Sequence, residues 1–222
     1  KVSLFNPYNP ILYKGLIGHI VEMCETMGHS VVISKGTVTS ADSITPDEKL
    51  RAWAEEVTPD GYDVRDYQVD SFVDCVRLGR RVVLSSTSSG KTLMMYRLGL
   101  WYHHVTNKPT LVLTTRTNLV AQAKDDFEAY GDVNVTTIDD AAREVNGGEH
   151  FVVCTWQSAL RAPEAWFSQF GCILADEVHS WDSSAFQKIA VRWKSIKYRF
   201  GMTGSLKDGK INKLTLVGLF GD

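Results

Sequence analysis

The segment from Leu84 to Thr92, LSSTSSGKT, ends like a phosphate-binding loop that joins a strand to a helix. In such a loop the lysine, here Lys91, reaches the phosphate oxygens, and the hydroxyl that follows it, here Thr92, binds Mg²⁺. The backbone N–H groups that can surround the phosphate belong to Ser86, Thr87, Ser88, Ser89 and Gly90. Because Ser85 replaces the glycine that usually opens the loop, the segment taken alone also fits a serine-rich turn that caps a helix.

An acidic pair, Asp176 and Glu177, directly follows the apolar run Cys172–Ala175 and opens the sequence Asp-Glu-Val-His. A carboxylate at the end of a buried strand can hold Mg²⁺ with its water shell, and its neighbour can polarise the water that attacks a phosphate. Taken alone, such acids more often cap a helix N-terminus. Since Gly-Lys-Thr and Asp-Glu-x-His each follow a predicted strand, their coincidence favours nucleotide hydrolysis, with Asp176 on the metal and Glu177 on the water.

The elements that would position these residues alternate between strands and helices from residue 62 onward. The predicted strands are Arg81–Ser85, Thr110–Thr114, Val133–Ile138, Phe151–Thr155, Cys172–Ala175 and Tyr198–Met202, and the predicted helices cover residues 66–78, 91–104, 117–130 and 182–193. This alternation predicts an α/β fold with a mostly parallel sheet covered on both faces. Ligands of such sheets bind beyond the carboxyl ends of the strands, where both polar segments fall. The Gly147-Gly148 pair after Asn146 predicts a hairpin turn.

The first part of the chain predicts a separate, small α+β unit. Residues 1–60 contain two short strand candidates, a helix ended by Gly28, and a second helix that opens near Asp47. The connector at residues 58–61, Thr-Pro-Asp-Gly, has the composition of a turn. We therefore expect two domains, a small accessory unit over residues 1–60 and a larger one over residues 61–222.

Composition narrows the classes of protein to which the chain can belong. The 222 residues are 44% hydrophobic and carry a formal net charge of −2, which excludes binding of nucleic acid through bulk positive charge but leaves room for a local binding face. The four cysteines lie far apart without a C-x-x-C pair, which indicates buried thiols in a reducing cytoplasm. No apolar run approaches the roughly 18 residues of a membrane span. The absence of an initial Met predicts that the chain is a piece of a longer protein.

Taken in chain order, the polar segments of residues 62–222 resemble the motifs of superfamily 2 helicases of the DExH type. The correspondence is Arg65 and Gln68 with the adenine-reading Q element, residues 85–92 with motif I, residues 115–122 with motif Ia, residues 155–158 with motif Ib, residues 176–179 with motif II, and residues 203–205 with motif III. A glutamine can give a donor and an acceptor to an adenine edge, although Gln68 outside this order would be an ordinary surface residue. The order of the motifs makes the resemblance specific.

The resemblance implies a RecA-like P-loop NTPase lobe that uses ATP and Mg²⁺. Its catalytic residues would be Lys91, Asp176 and Glu177, its metal ligands Thr92 and Asp176, and its nucleic-acid contacts Thr115, Arg116, Thr155, Trp156 and Gln157. In this family Thr203 and Ser205 couple the ATP state to the grip on nucleic acid, with His179 as their partner. Motif Ia carries Thr115-Arg116 where Pro-Thr is usual, which leaves its DNA contact open.

The segments Trp166–Gly171, Gly204–Lys210 and Gly15–Gly18 are similar to those of family members that remodel branched DNA. The resemblance implies that residues 1–60 are the later part of a small nucleic-acid-binding domain. The implied activity is fork regression, branch migration and removal of R-loops or D-loops by a monomeric protein. Its partner would be DNA, branched or single- or double-stranded, with RNA added in R-loops. The alternatives are a translocase that moves on double-stranded DNA without separating it and a DNA-binding module with a decayed P-loop. A GTPase switch is disfavoured, because no N-K-x-D motif is present.

The chain ends at Asp222, before the motifs that a second RecA-like lobe would supply. Arginine fingers from that lobe contribute about 10³–10⁵ in rate. We therefore expect these 222 residues alone to bind ATP weakly and to hydrolyse it hardly at all.

A basic segment with aromatic residues, Arg192–Arg199, has two interpretations. Its aromatic side chains could stack on nucleic-acid bases, or the segment could form a solvated face with Trp193 packed inward. Trp156 likewise fits either a base platform or the protein core.

Overall fold

Six strands form one parallel sheet within the part of the chain that the structure describes. The computed structural model describes residues 16–31, 45–85, 89–139, 145–181, 188–204 and 210–221. The strands are β1 (Arg80–Leu84), β2 (Thr110–Thr114), β3 (Val135–Ile138), β4 (Phe151–Thr155), β5 (Cys172–Ala175) and β6 (Tyr198–Thr203). Their order across the sheet is β1-β6-β5-β2-β4-β3, and every neighbouring pair is parallel. The predicted α/β fold is confirmed, and the bounds of β2, β4 and β5 are those predicted.

The described helices lie before, between and after these strands in the sequence. They are α1 (Ile17–Thr26), α2 (Asp47–Glu56), α3 (Asp66–Leu78), α4 (Lys91–Thr106), α5 (Thr117–Tyr130), α6 (Trp156–Arg161) and α7 (Lys210–Phe220). The bounds of α3 and α5 match the prediction. Helix α3 ends where Gly79 adopts a left-handed backbone (φ 67°), a conformation that glycine reaches without steric cost. Of the helix predicted over residues 182–193, the first six residues lie outside the described ranges, residues 188–190 are α-helical as predicted, and Val191–Trp193 continue as a 3-10 turn.

Alternating side chains give the sheet two apolar faces, as the two-residue period of a strand requires. In β2, Val112 packs in a core shared with α2 to α5, whereas Leu111 and Leu113 pack in a second core shared with α6 and α7. All three side chains are without exposed surface. The sheet is therefore covered on both faces, and its polar chemistry is confined to the strand ends.

Helix α2 belongs to the main core, although it lies within residues 1–60. Leu50 and Ala54 have no exposed surface, and the Trp53 ring stacks on Phe72 of α3 with a centroid distance of 5.5 Å. Trp53 also makes an edge contact with Trp101 of α4 at 5.2 Å. The division of the chain into two domains at residue 60 stays a prediction, but α2 packs with the helices that follow it.

Only part of the remaining N-terminal unit is described. Helix α1 is followed by Gly28 with a φ of 78°, which agrees with the predicted stop. The first strand candidate, residues 1–5, and half of the second, residues 32–33 of 30–33, lie outside the described residues.

The cysteine prediction is confirmed for three of the four residues. Cys75, Cys154 and Cys172 are buried, and burial raises the pKa of the Cys75 and Cys154 thiols to about 12. Cys24 is partly exposed. Among the helices of the described ranges, none is long and apolar enough to cross a membrane.

The basic segment Arg192–Arg199 is built into the fold. Trp193 has no exposed surface, and Arg199, also buried, donates to the carbonyl oxygens of Ile196 (2.9 Å) and Trp193. Arg192 donates to the carbonyl oxygen of Ala162 at 2.6 Å. The inward interpretation of Trp193 is therefore confirmed. The segment leads into β6 and supplies its first two residues, Tyr198 and Arg199, so it lies at the end of the sheet opposite to the polar loops.

The loop before β4 is organised by a buried carboxylate. The side chain of Glu149, 3% exposed, accepts hydrogen bonds from the backbone N–H groups of Asn146 (3.0 Å), Gly147 (2.9 Å) and Gly148 (3.1 Å). The predicted hairpin is wrong, because β3 and β4 are parallel and cannot be joined by a hairpin turn. Burial acts to raise the pKa of Glu149, but these hydrogen bonds outweigh it and place the pKa below its ordinary value.

This lowered pKa predicts a contribution to stability that depends on pH. The Glu149 carboxylate stabilises the fold above the ordinary glutamate pKa of about 4.3, and the contribution disappears as the pH falls through the lowered folded-state value. We expect Glu149→Gln to reduce the free energy of unfolding by about 1–3 kcal/mol at pH 7 and by much less at pH 3. Urea unfolding at both values measures this, with the exposed Glu128→Gln as control. An equal loss at both pH values would contradict the prediction.

Candidate functional site

The order of the strands brings the predicted motifs together at one edge of the sheet. Strand β6 lies between β1 and β5, so the loops that leave these three strands are adjacent. The backbone N–H of Ser85, directly after β1, donates to the carbonyl oxygen of Thr203 at 2.8 Å. Motifs I, II and III, which are distant in sequence, therefore share one site at the carboxyl end of the sheet.

Lys91 and Glu177 form an ion pair at the centre of this site. The Lys91 ammonium at the start of α4 contacts the Glu177 Oε1 atom, and the two side chains are 10% and 28% exposed. The other carboxylate oxygen, Oε2, accepts from the Gly204 N–H at 3.5 Å. Glu177 has a left-handed backbone with φ 46°, which is uncommon for a residue other than glycine and aims its side chain into the site.

His179 connects motif II to motif III. Its Nδ1 atom lies 2.7 Å from the Thr203 hydroxyl and 3.2 Å from the Glu177 Oε2 atom. Thr203 is fully buried at the end of β6. The predicted partnership of His179 and Thr203 is thus present as a contact, while its coupling role stays a prediction. Ser205, the other predicted coupling residue, lies outside the described residues, as do Ser86, Thr87 and Ser88 of the loop.

The pKa values of the two acids of the site are shifted in opposite directions. Burial raises the pKa of Asp176, an increase that Lys91 opposes and Glu177 supports. For Glu177, burial acts in the same direction, but the hydrogen bond and charge of Lys91 outweigh it and lower the pKa. Lys91 therefore keeps Glu177 ionised, whereas an ionised Asp176 is costly until a cation lies beside it.

The donor set fits Mg²⁺ bound together with a nucleotide. The Asp176 carboxylate and the Thr92 hydroxyl are oxygen donors, and the Asp176 Oδ1 atom is held by the Glu177 N–H at 2.9 Å. The described residues contain no cluster of three or more His, Cys, Asp or Glu side chains that could hold a metal ion. Mg²⁺ keeps several waters and is usually held by one or two carboxylates plus substrate phosphates, so a sparse set is what it requires.

Because its pKa is raised, an ionised Asp176 is expected to lower the free energy of unfolding. Ionisation costs folding free energy as the pH rises from about 3.9 through the raised folded-state value. We expect Asp176→Asn, which keeps the oxygen that accepts from Glu177, to raise the melting temperature by about 2–4 °C at pH 7 without Mg²⁺. The difference should vanish below pH 3.5 or so. Calorimetry measures it against the exposed Asp74→Asn control; a lower melting temperature at pH 7 would refute it.

The Q element lies beneath the loop of motif I. Gln68 is only 6% exposed, and its Nε2 atom donates to the Ser89 carbonyl oxygen at 2.8 Å. The exposed Tyr67 donates to the same oxygen at 3.1 Å, and Arg65 donates to the Tyr67 hydroxyl at 3.0 Å. These residues line one side of a cleft of about 450 Å³ that Leu84 also borders. The structure thus brings Arg65, Tyr67, Gln68 and the end of the loop together.

The residues predicted to contact nucleic acid lie after two other neighbouring strands, β2 and β4. The Gln157 amide reaches the Thr115 carbonyl oxygen at 3.5 Å, and Arg116 is exposed beside them. The Thr155 hydroxyl is turned inward, where it accepts from the Ser158 N–H at 3.1 Å and begins α6. Their contact with nucleic acid stays a prediction, and the described geometry leaves Arg116 the freest of them to make one.

Trp156 stacks on a tryptophan that sequence reasoning missed. The Trp156 and Trp181 rings lie 5.7 Å apart with an interplanar angle of 25°, and the Trp181 indole N–H donates to the Asp176 carbonyl oxygen at 3.0 Å. The stack therefore joins the segment after β4 to motif II. Only the position of Trp181, five residues after Asp176, could have drawn attention to it.

A family model described as Type III restriction enzyme, res subunit (ResIII) matches residues 50–208, well over half of the chain. The chain belongs to the ResIII family. The matched range covers the site from Arg65 to Gly204, and the parallel sheet is the RecA-like lobe that the motifs predicted. The resemblance to helicases of superfamily 2 is thus confirmed by membership in ResIII.

Individual relatives agree with the ResIII assignment. The ATP-dependent DNA helicase uvsW of Enterobacteria phage T4 is 29% identical over 232 residues, which cover 97% of this chain and 44% of that protein. A crystal structure of the UvsW helicase from bacteriophage T4 superposes with a TM-score of 0.88 at 27% identity, covering 99% of this chain and 80% of that one. The chain thus spans less than half the length of the curated relative.

A more distant ATPase shares the fold alone. The SWI2/SNF2 ATPase core of Sulfolobus solfataricus, solved in complex with dsDNA, superposes with a TM-score of 0.60 at 16% identity, over 72% of this chain and 36% of that one.

Proposed function

We propose that the chain is the nucleotide-binding lobe of an ATP-dependent DNA helicase or translocase. The observation that carries the proposal is the contact chain Lys91–Glu177–His179–Thr203, which connects a P-loop lysine to motifs II and III at one edge of the sheet. A serine-rich turn that merely capped a helix would have no reason to place its lysine against a motif II carboxylate. The similarity to a protein named ATP-dependent DNA helicase supports the same activity.

The ion pair indicates how ATP would bind. The Lys91 ammonium is paired with the Glu177 carboxylate. The triphosphate must therefore displace that carboxylate from the lysine Nζ atom. Glu177 then turns to the attacking water, which it orients and polarises as the γ-phosphate leaves. Asp176 and Thr92 would hold Mg²⁺, which when bound neutralises charge on the phosphates. The α4 N-terminus, directly after Gly90, supplies backbone N–H groups and a favourable dipole for the phosphates.

Two contacts support a proposed transmission of the nucleotide state to the loops that are predicted to contact DNA. His179 touches both Glu177 and Thr203, so a change at the γ-phosphate alters a hydrogen bond at the end of β6. Trp181 links the Asp176 backbone to Trp156, which begins α6 after β4. Hydrolysis beside the loops that follow β1, β5 and β6 can thereby change the position of residues in the loop that follows β4.

The proposed substrate is branched DNA. We propose fork regression, branch migration and removal of D-loops and R-loops, with RNA bound only as part of an R-loop. The protein would act as a monomer in the cytoplasm, that of the host cell if a phage encodes it, as the phage relative suggests. The 222 residues alone are proposed to bind ATP weakly and to hydrolyse it hardly at all.

The test uses the complete protein in which the chain occurs. ATP hydrolysis is measured with no DNA, with linear duplex and with a four-way junction, and conversion of the junction is followed on native gels. The proposal expects DNA to stimulate hydrolysis and the junction to be converted only with hydrolysable ATP. Stimulation by linear duplex without conversion of any branch would instead identify a translocase that does not separate strands. Hydrolysis that ignores DNA would reject the proposal.

A further inference from the structure

A buried cation, Arg97, lies in α4 beneath the nucleotide site. It has no exposed surface, and no carboxylate of the described residues lies within ion-pairing distance of it. Its guanidinium donates from Nε to the Thr58 hydroxyl at 3.2 Å, again from Nη2 to that oxygen, and from Nη1 to the Gln68 Oε1 atom at 3.4 Å. Its hydrogen-bond partners are neutral, and the charge of Glu55 only partly offsets the effect of burial, which lowers the pKa of Arg97. A buried charge without an ion-pair partner is costly, which raises the question of its role.

Gln68 is held between this arginine and the loop of motif I. Its Oε1 atom accepts from Arg97, and its Nε2 atom donates to the Ser89 carbonyl oxygen. The amide lies so close to Gly90 that an added Cβ there would be 2.3 Å from Nε2. A change in the position of the Gln68 side chain would therefore directly affect the backbone of the phosphate-binding loop.

Arg97 fixes which end of the Gln68 amide faces which neighbour. If the amide oxygen and nitrogen were exchanged, the Gln68 NH₂ group would face the N–H groups of Arg97. The Gln68 oxygen would then face the carbonyl oxygen of Ser89, and both contacts would be repulsive. A primary amide has two donors and two acceptor lone pairs, so one donor and one acceptor remain for a further partner. With Arg97 in place, the polarity of that free edge is defined.

Thr58 completes the arrangement from the connector before α3. Its hydroxyl donates to the Ala54 carbonyl oxygen in α2 at 2.7 Å, which leaves its lone pairs for Arg97. A continuous series of hydrogen bonds therefore runs from α2 through Thr58, Arg97 and Gln68 to Ser89 of motif I.

We propose that Arg97 and Thr58 are positioning residues that set the base selectivity of the nucleotide site by fixing the Gln68 amide. The inference rests on the proposed function. Adenine presents a donor at N6 beside the acceptor N7, whereas guanine presents two acceptors, O6 and N7. On this edge, an amide with one fixed donor and one fixed acceptor pairs with both groups of adenine but with only one of the two acceptors of guanine. An amide that is free to rotate must give up conformational freedom to pair with adenine, so the preference weakens.

Thr58→Val tests the proposal, because valine has nearly the shape of threonine but cannot accept from Arg97. Affinities for fluorescent ATP and GTP analogues are measured with Mg²⁺ on the 222-residue chain and, in parallel, on the complete protein. We expect the ATP-over-GTP preference to fall about fivefold to tenfold in Thr58→Val and in Arg97→Met, the value of a lost hydrogen bond. Thr58→Ser, which keeps the hydroxyl, should restore it.

The measurement separates positioning from mere stability. Thermal unfolding of each variant is recorded alongside; a variant that melts earlier but keeps the parent preference overturns the proposal. The same holds if Thr58→Ser loses as much preference as Thr58→Val. If the unmodified proteins bind neither ATP nor GTP, the proposed function itself fails. This outcome is distinct from a failure of the inference, because it is seen without any substitution at Thr58. A parent preference for ATP that only the Val and Met variants lose supports the inference.

Discussion

Glu177→Gln is expected to lower ATP hydrolysis by about 10²–10⁴-fold while strengthening ATP binding. Hydrolysis falls because the amide can no longer polarise the attacking water. Binding strengthens because the phosphates no longer compete with a carboxylate for Lys91, to which Glu177 is paired in the structure. We expect a gain in affinity of about twofold to fivefold, the range of a partly exposed ion pair.

Two assays separate these effects. Hydrolysis is followed in the complete protein with saturating DNA, and binding of a fluorescent ATP analogue is titrated on the 222-residue chain. Glu128→Gln serves as control, because Glu128 forms a surface pair with Lys124 at 3.5 Å on α5, away from the site. An unchanged hydrolysis rate would remove Glu177 from the chemistry, and a weaker affinity would show that its pairing with Lys91 does not oppose the nucleotide.

Lys91→Ala is expected to weaken ATP binding, the opposite of the effect of Glu177→Gln on binding, and to abolish hydrolysis as well. The ammonium makes charge-assisted contacts with the phosphates, so affinity for the ATP analogue should fall about 10- to 100-fold. The Glu177 carboxylate would also lose the partner that lowers its pKa. In the complete protein, DNA-stimulated hydrolysis should fall to background.

The matched control for this change is Lys124→Ala, which removes a lysine of similar charge from an exposed position on α5. Thermal unfolding of both variants shows whether the fold is preserved. Equal affinity of Lys91→Ala and the unmodified chain for the analogue would place the nucleotide elsewhere, and equal hydrolysis rates would refute the motor interpretation.

The elements and the placement of the motifs could be predicted because they depend on local patterns. Apolar runs such as Thr110–Thr114 and Phe151–Thr155 have few alternatives to a buried parallel strand. The turn chemistry around them ends each run sharply. The α6 helix was missed because six residues carry too little periodicity, although Thr155 caps it with its hydroxyl.

The contacts that organise the site depend on pairings between distant segments, which a local pattern does not contain. The order of the strands places β6 beside β1, and this alone sets Thr203 against Ser85. Gln68, predicted to read a base, also donates to the Ser89 carbonyl oxygen and accepts from the buried Arg97. Nothing in the spacing of these residues indicates that they meet.

The packing of α2 has a practical consequence for shortened forms of the protein. A polypeptide begun at residue 61, where the turn composition suggests a cut, would lose Trp53, which packs on the rings of both Phe72 and Trp101. Such a form would expose a hydrophobic aromatic patch and would tend to aggregate when overproduced. It would also lack Thr58, so that Arg97 would be buried with one acceptor fewer. Truncations for crystallisation or enzymology should therefore begin ahead of Asp47.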